Sequence, residues 1–138
     1  MYCLDASVIL SAAHGSEKYS LQSQDFLNFI KDQRIKVFMP EISIAEIASG
    51  LFRVTKNSGF VNEFIDSLRA IPNFSFVPID SRMSSLAVEV ITKTNLKGAD
   101  SLYVSLALDY HLTLITLDKE QLVKSQKIIS VREPGIES

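Results

Sequence analysis

Sulfur and imidazole are scarce in this chain of 138 residues, which has one cysteine, Cys3, and two histidines, His14 and His111. A lone cysteine excludes an internal disulfide framework and a thiolate zinc cluster, and two histidines do not make a histidine-rich metal site. Tryptophan is absent, and with five glycines and four prolines the composition is not that of a low-complexity chain. No apolar run approaches the roughly 18 residues needed to cross a bilayer. The start, Met1-Tyr2-Cys3-Leu4-Asp5, lacks a basic n-region and meets an acid at once, which predicts no signal peptide, no membrane association and a cytoplasmic protein. Positive charge is also short: 14 Lys and Arg face 16 Asp and Glu, for a formal net charge of −2. A protein that coats nucleic acid without sequence preference is ordinarily basic. Bulk charge therefore argues against a simple nucleic-acid binder, but says nothing about where the acids lie.

What is present describes an ordinary globular chain, 46% hydrophobic and 22% charged. The length fits one domain of about 100–200 residues, expected over 1–138 with its core at about 2–131, and burying roughly two-thirds of the unfolded surface. Repeats and linker-like composition shifts are missing. The apolar run Tyr2 to Leu4 predicts a buried strand. Val8 to Ala13 predicts a helix that breaks around His14, Gly15 and Ser16. Leu21 to Gln33 carries Phe26, Leu27, Phe29 and Ile30 at helical spacing, and Ile35 to Met39 predicts a strand stopped by Pro40. Helices are expected over Ile42–Lys56, Phe60–Ala70, Leu86–Thr94 and Gly98–Tyr110, and a short one from Lys119. Strands are expected over Phe74–Ile79, Leu112–Thr116 and Lys127–Val131. This alternation predicts an α/β domain with a mainly parallel sheet. Such sheets bind ligands outside the carboxyl ends of their strands.

Acids occur at those ends. Asp5 directly follows the first strand, and Asp118 sits two residues past Thr116, the end of the clearest strand. Only the fold can bring residues so far apart together, and parallel strands would deliver both carboxylates to one edge. Glu46 and Asp100 lie early in helices. Asp100 shares a face with Val104 and with Ala107 or Leu108, although an acid in a first helical turn is also stabilised by the dipole, by about 0.3–1 kcal/mol. Glu46 has Ser43, Ser49 and Gly50 at helical neighbour spacing. A mid-helix glycine costs about 1 kcal/mol relative to alanine, so a close approach by another element is expected at Gly50; a solvated surface Glu remains the plain alternative for Glu46. Carboxylates gathered in one cleft repel by about 4 kcal/mol per pair at ~4 Å and an effective dielectric of ~20. Such a cluster takes up protons or binds a cation. An oxygen-only donor set favours Mg²⁺ or Mn²⁺ over zinc, and open coordination positions suit phosphoryl chemistry.

The segments Leu4-Asp5-Ala6-Ser7-Val8, Ser43-Ile44-Ala45-Glu46 with Gly50, Gly98-Ala99-Asp100 through Ala107, and Leu114-Ile115-Thr116-Leu117-Asp118 together resemble the successive signatures of PIN-domain ribonucleases. Their order, spacing and total length are similar to the small VapC-type toxins of toxin–antitoxin systems. The resemblance runs from about Tyr2 to Val131. It implies a five-stranded, mainly parallel sheet with helices on both faces. It also implies that Asp5, Glu46, Asp100 and Asp118 hold one or two Mg²⁺ or Mn²⁺ ions, with Thr116 orienting the site and Ser7 as an auxiliary. The implied activity is metal-dependent endoribonuclease cleavage of RNA phosphodiesters, with 5′-phosphate and 3′-hydroxyl products. The implied partners are an RNA substrate, an antitoxin and a second copy of the chain in a homodimer. Two bound divalent ions would reverse the sign of the formal charge. One departure concerns the basic residue that many toxin-branch members carry near the third acid, for which only Lys93 and Lys97 are candidates here.

Other assignments compete. A housekeeping PIN nuclease in RNA processing shares every feature above. A haloacid-dehalogenase-like phosphatase also places Asp after its first strand but usually has a second acid two residues on, where this chain has Ser7. A signalling receiver lacks its paired acids and late Lys here, and a non-catalytic binding module requires that the cluster bind no metal. Asp80 follows a strand directly, and with Ser81 beside it reads as an N-cap. Asp25, Asp32, Asp66 and Asp109 match no signature and are expected in solvent. His14 is expected on the surface, His111 at a helix end where a cation is favoured, and Cys3 in the core. Arg53, Lys56 and Lys18 could contact phosphates, although single basic residues on helices ordinarily face solvent. Phe60, Phe64, Phe74 and Phe76 are expected in the core or at a dimer interface.

Overall fold

Strand and helical patterns alternate through the sequence, and the computed structural model, which describes residues 1–15 and 18–135, turns them into twelve elements. They are β1 (Tyr2–Leu4), α1 (Ala6–Ala13), α2 (Ser20–Asp32), β2 (Val37–Pro40), α3 (Ile42–Thr55), α4 (Ser58–Arg69), β3 (Phe74–Val77), α5 (Ser81–Thr94), α6 (Gly98–Tyr110), β4 (Thr113–Ile115), α7 (Lys119–Ser125) and β5 (Val131–Arg132). The five strands form one sheet in the order β3-β2-β1-β4-β5. Every pairing is parallel, with Cys3 opposite Phe38 on one side and Leu114 on the other.

That order decides where the helices lie. The chain steps outward from β1 to β2 to β3, then returns across the sheet to β4 and continues to β5. Parallel crossovers are right-handed almost without exception. Reversing the direction of travel therefore puts α1–α4 on one face and α5–α7 on the other. The core lies where these layers meet β1 and β4. Cys3, Leu4, Tyr103, Leu106, Leu114 and Ile115 are all fully buried, as expected for strands covered on both faces. The reversal also creates a topological switch point between β1 and β4, outside whose carboxyl ends open parallel sheets place their ligands.

Most expected elements appear with boundaries moved by a few residues, and the shifts have local causes. Helix α5 begins at Ser81, five residues early, because Asp80 caps it by accepting from Met83 N at 2.9 Å. Pro40 is the last residue of β2, paired with Val77, rather than the residue that stops it. The final strand is Val131–Arg132 instead of Lys127–Val131. Ile128 and Ile129 both donate their backbone N–H to Ser125 O and pack partly buried against the core from a turn. Asp109 is not in open solvent but half-buried and paired with Arg82 at 2.7 Å. Of the phenylalanines, Phe74 is in the core, Phe64 and Phe76 pack partly buried against it, and Phe60 is exposed. His111 ends α6 in the left-handed region (φ 56°). Ser16, part of the expected break after α1, lies outside the described residues.

Gly50 meets the expectation of a close approach. A Cβ built there would lie 2.7 Å from both terminal methyls of Leu10, so α1 and α3 pack closely at this position. Gly50→Ala should consequently fail to yield the roughly 1 kcal/mol that alanine normally adds to a helix interior. In the Leu10→Ala background the same substitution should become stabilising, with a coupling of about 0.5 kcal/mol or more between the two sites. Urea denaturation of the two single variants and the double variant measures it.

Candidate active site

Two of the four acids singled out in the sequence are placed by one local rule, a strand that ends and a helix that begins. Asp5 is the extended residue between β1 and α1, and its Oδ2 accepts from Ser7 N at 3.3 Å. Asp118 holds the corresponding place before α7, with Oδ1 accepting from Glu120 N at 2.8 Å and Gln121 N at 3.1 Å. Both are N-caps, which satisfies otherwise orphaned helix donors. Asp80 caps α5 in the same way, but it follows β3, the outermost strand. Only Asp5 and Asp118 flank the switch point.

Thr116 joins the two. Fully buried, it donates from Oγ1 to Asp5 Oδ2 at 3.1 Å and accepts from Asp118 N at 3.0 Å. Ser7 adds a second tie across the same gap, its Oγ accepting from Leu117 N at 3.1 Å. Asp100 stands in the first turn of α6, where Gln121 Nε2 donates to its Oδ1 at 2.9 Å. Glu46, one turn into α3, accepts from the Tyr103 hydroxyl at 2.6 Å through Oε1. Tyr103 and Gln121 are fully buried and were not singled out in the sequence. Their signal was faint: each sits three residues after an acid, on the turn of helix that follows it.

The acids are electrostatically linked. Burial pushes the Asp5 carboxyl above its usual range; hydrogen bonds from Ser7 and Thr116 pull it back, and the charge of Glu46 raises it further. Burial likewise raises Asp100, against the Gln121 hydrogen bond, and the charges of Asp118 and Asp5 add to the rise while Lys97 opposes it. The Tyr103 phenol is driven far up, chiefly by burial and then by Asp5 and Glu46, so it remains a donor. Asp5, Glu46, Asp100 and Asp118 thus form one chain of mutually felt charges.

Their oxygens are used unevenly. Glu46, Asp100 and Asp118 are each tethered through one carboxylate oxygen, and the other accepts no hydrogen bond among the described residues. No group of three Asp, Glu, His or Cys side chains among those residues is gathered closely enough to grip an ion as it stands. The donor chemistry nevertheless fits a hard cation, since all four groups are oxygen ligands. A groove of about 500 Å³ between α2 and α4, lined by Leu27, Phe64 and Phe74 among others, contains none of these acids. The basic residues considered for phosphate contact are exposed, with Lys18 over the Tyr19 ring and Lys56 over the Phe52 ring.

The fold and the site together define an α/β domain with carboxylates at the switch point of a parallel sheet, where such sheets place their ligands. The family profile described as PIN domain matches residues 2–126, and the chain belongs to that family. No curated protein matches it in sequence. Its fold is similar to that of FitAcB from Neisseria gonorrhoeae (19% identity, TM-score 0.74, covering 97% of this chain and 98% of that one). It is also similar to VapC20 of Mycobacterium tuberculosis, a sarcin-ricin loop cleaving toxin (10% identity, TM-score 0.78, 96% and 99% covered). A third likeness is VapBC2 from Rickettsia felis, bound to a fragment of promoter DNA (14% identity, TM-score 0.72, 96% and 97% covered). Among the described residues no helix is long and apolar enough to cross a membrane.

The direction of the Asp5 shift has a consequence for stability. A carboxyl whose folded value lies above its unfolded value binds more protons when folded, so its contribution is fully present below the ordinary carboxyl value of 3.8. That contribution is lost as pH rises through the folded value. Asn caps a helix as well as Asp does and carries no charge. Without divalent cations, Asp5→Asn should therefore melt higher than wild type at pH 7, and the gap should close as pH falls toward 3.8. Thermal unfolding monitored by circular dichroism across that range measures it.

Proposed function

We propose that this chain is a metal-dependent endoribonuclease that hydrolyses RNA phosphodiesters, acting as the toxin of a toxin–antitoxin pair. The observation that carries the proposal is the set of half-tethered acids at the switch point. Each of Glu46, Asp100 and Asp118 is held by the protein through one oxygen and keeps the other free of donors. Groups that serve only as helix caps or surface charges have no need of neutral side-chain donors reaching them from other helices, as Tyr103 reaches Glu46 and Gln121 reaches Asp100.

Asp5, Glu46, Asp100 and Asp118 would hold one or two Mg²⁺ or Mn²⁺ ions, and gathering an ion includes drawing their free oxygens together. When bound, the cation supplies Lewis acidity for attack of water on the phosphodiester. The protein groups divide the remaining work. Thr116 and Ser7 fix Asp5 relative to the loop that carries Asp118, so the two ends of the site cannot drift apart. Lys97, exposed beside Asp100, offers a positive charge to an approaching phosphate. RNA is favoured as substrate because the signatures resemble those of PIN-domain ribonucleases and VapC20, similar in fold, is a sarcin-ricin loop cleaving toxin. The antitoxin partner is favoured by the toxin–antitoxin complexes among the similar folds. A homodimer is the assembly proposed with it.

Asp5→Asn and Asp100→Asn should each lower Mn²⁺-dependent cleavage of cellular RNA by more than about 100-fold, beyond the 10–100-fold typical of removing a group that only hydrogen-bonds to a ligand. Asp80→Asn should retain cleavage. Induced wild-type protein should arrest growth and the Asp5→Asn variant should not. Full cleavage by either folded site variant would refute the assigned site, and growth without arrest would refute the toxin role.

A further inference from the structure

Gln121 touches two of the acids at once. Its backbone N–H donates to Asp118 Oδ1 at 3.1 Å, and its side-chain Nε2 donates to Asp100 Oδ1 at 2.9 Å. The residue is fully buried in the first turn of α7. Its amide orientation follows from chemistry, since an ionised carboxylate accepts hydrogen bonds and donates none. The amide oxygen then has no hydrogen-bond partner among the described residues, although it too is buried.

We propose that Gln121 is a positioning residue for Asp100, fixing that carboxylate against Asp118 so that both present their untethered oxygens to a divalent cation. The proposal rests on the metal-nuclease function argued above. Leaving a buried carbonyl without a donor is unfavourable, and an apolar side chain of the same length would fill the space without that orphaned carbonyl. What such a side chain lacks is the donated hydrogen bond to Asp100. The two acids come from different helices, α6 and α7, and their charges push one another apart. Gln121 is the residue that bonds to both. By tying Asp100 through Oδ1 it leaves Oδ2 free of donors among the described residues, and it does so with a neutral group that adds no charge to an already acidic cluster.

Mn²⁺ binding to the full chain, followed by calorimetry, tests this with Gln121→Met. The substitution keeps length and burial but removes the donor. The expected result is a loss of Mn²⁺ affinity of about 10–100-fold, with the metal-free melting temperature little changed because the lost hydrogen bond to Asp100 and the removed orphaned carbonyl offset one another. A purely structural glutamine would give the opposite pattern, a lower melting temperature with unchanged affinity, and that overturns the proposal. Wild type that binds Mn²⁺ no better than the Asp100→Asn variant overturns the metal reading and this proposal with it. Tight wild-type binding equalled by Gln121→Met overturns the role of Gln121 alone. Should Gln121→Met fail to fold, the side-chain amide resonances of wild-type Gln121 decide. They should shift on Mg²⁺ addition while those of the exposed Gln126 stay in place, and an unmoved Gln121 amide overturns the proposal.

Discussion

The hydrogen bond from Thr116 to Asp5 is the constraint around which the rest of the molecule is arranged. It joins the end of the central strand to the end of its neighbour across the one gap in the sheet where the chain reverses direction. It is also set where a charge is least welcome. Asp5 is only 6% exposed, and burial raises its pKa more than any other influence. Removing a carboxylate from water is tolerable only when its lone pairs find donors, and here Ser7 and Thr116 supply them. The same hydroxyl accepts from Asp118 N, so the group that stabilises one acid also sets the loop that carries another. Packing around it is correspondingly dense, with α6 against both strands and Tyr103 filling the space between the sheet and Glu46.

Several parts of this arrangement were legible in the sequence because they follow from short-range chemistry. An acid directly after an apolar run reads as strand end and helix start together, which is where Asp5, Asp80 and Asp118 lie. Ranking them needed strand order, because local sequence cannot distinguish a central strand from an outermost one. Gly50 was legible as a close approach, although not the identity of Leu10 opposite. Helix ends were harder. Lys56, Asn95 and His111 all take left-handed conformations as C-caps, a role that glycine usually advertises, and Asn95 and His111 are of types enriched there while Lys56 is not. The final strand was misplaced because Ile128 and Ile129 are apolar for packing rather than for pairing. Gln121 and Tyr103 escaped notice for a further reason. A glutamine in a polar helix start and a tyrosine in an apolar helix carry no pattern until the facing carboxylates are known.

The site also shows how a fold can reconcile opposed demands. Its four acids destabilise one another, yet each is held by neutral donors that fix direction without cancelling charge: two hydroxyls, a phenol, an amide and the N–H groups of helix starts. A lysine or arginine at any of those places would have neutralised an acid outright and occupied it. Lys97 keeps to the rim, exposed. Each acid is therefore held through one oxygen while its charge is left uncancelled, a combination that hydrogen bonding can achieve and ion pairing cannot.

The pairing of β1 with β4 has a consequence for the order of events in synthesis. Strand β1, Tyr2–Leu4, is synthesised more than a hundred residues before its partner β4, and contacts of such separation form slowly because a long loop must close first. An emerging chain can build the layer of α1 to α4 on β2 and β3 beforehand, but Asp5 waits without Thr116, Asp118 or Gln121. No partial product of translation assembles the cleft. For a protein whose proposed target is RNA, made in contact with messenger and ribosomal RNA, the topology itself acts as a delay. The proposed site is completed only after the segment through residue 121 is free to fold.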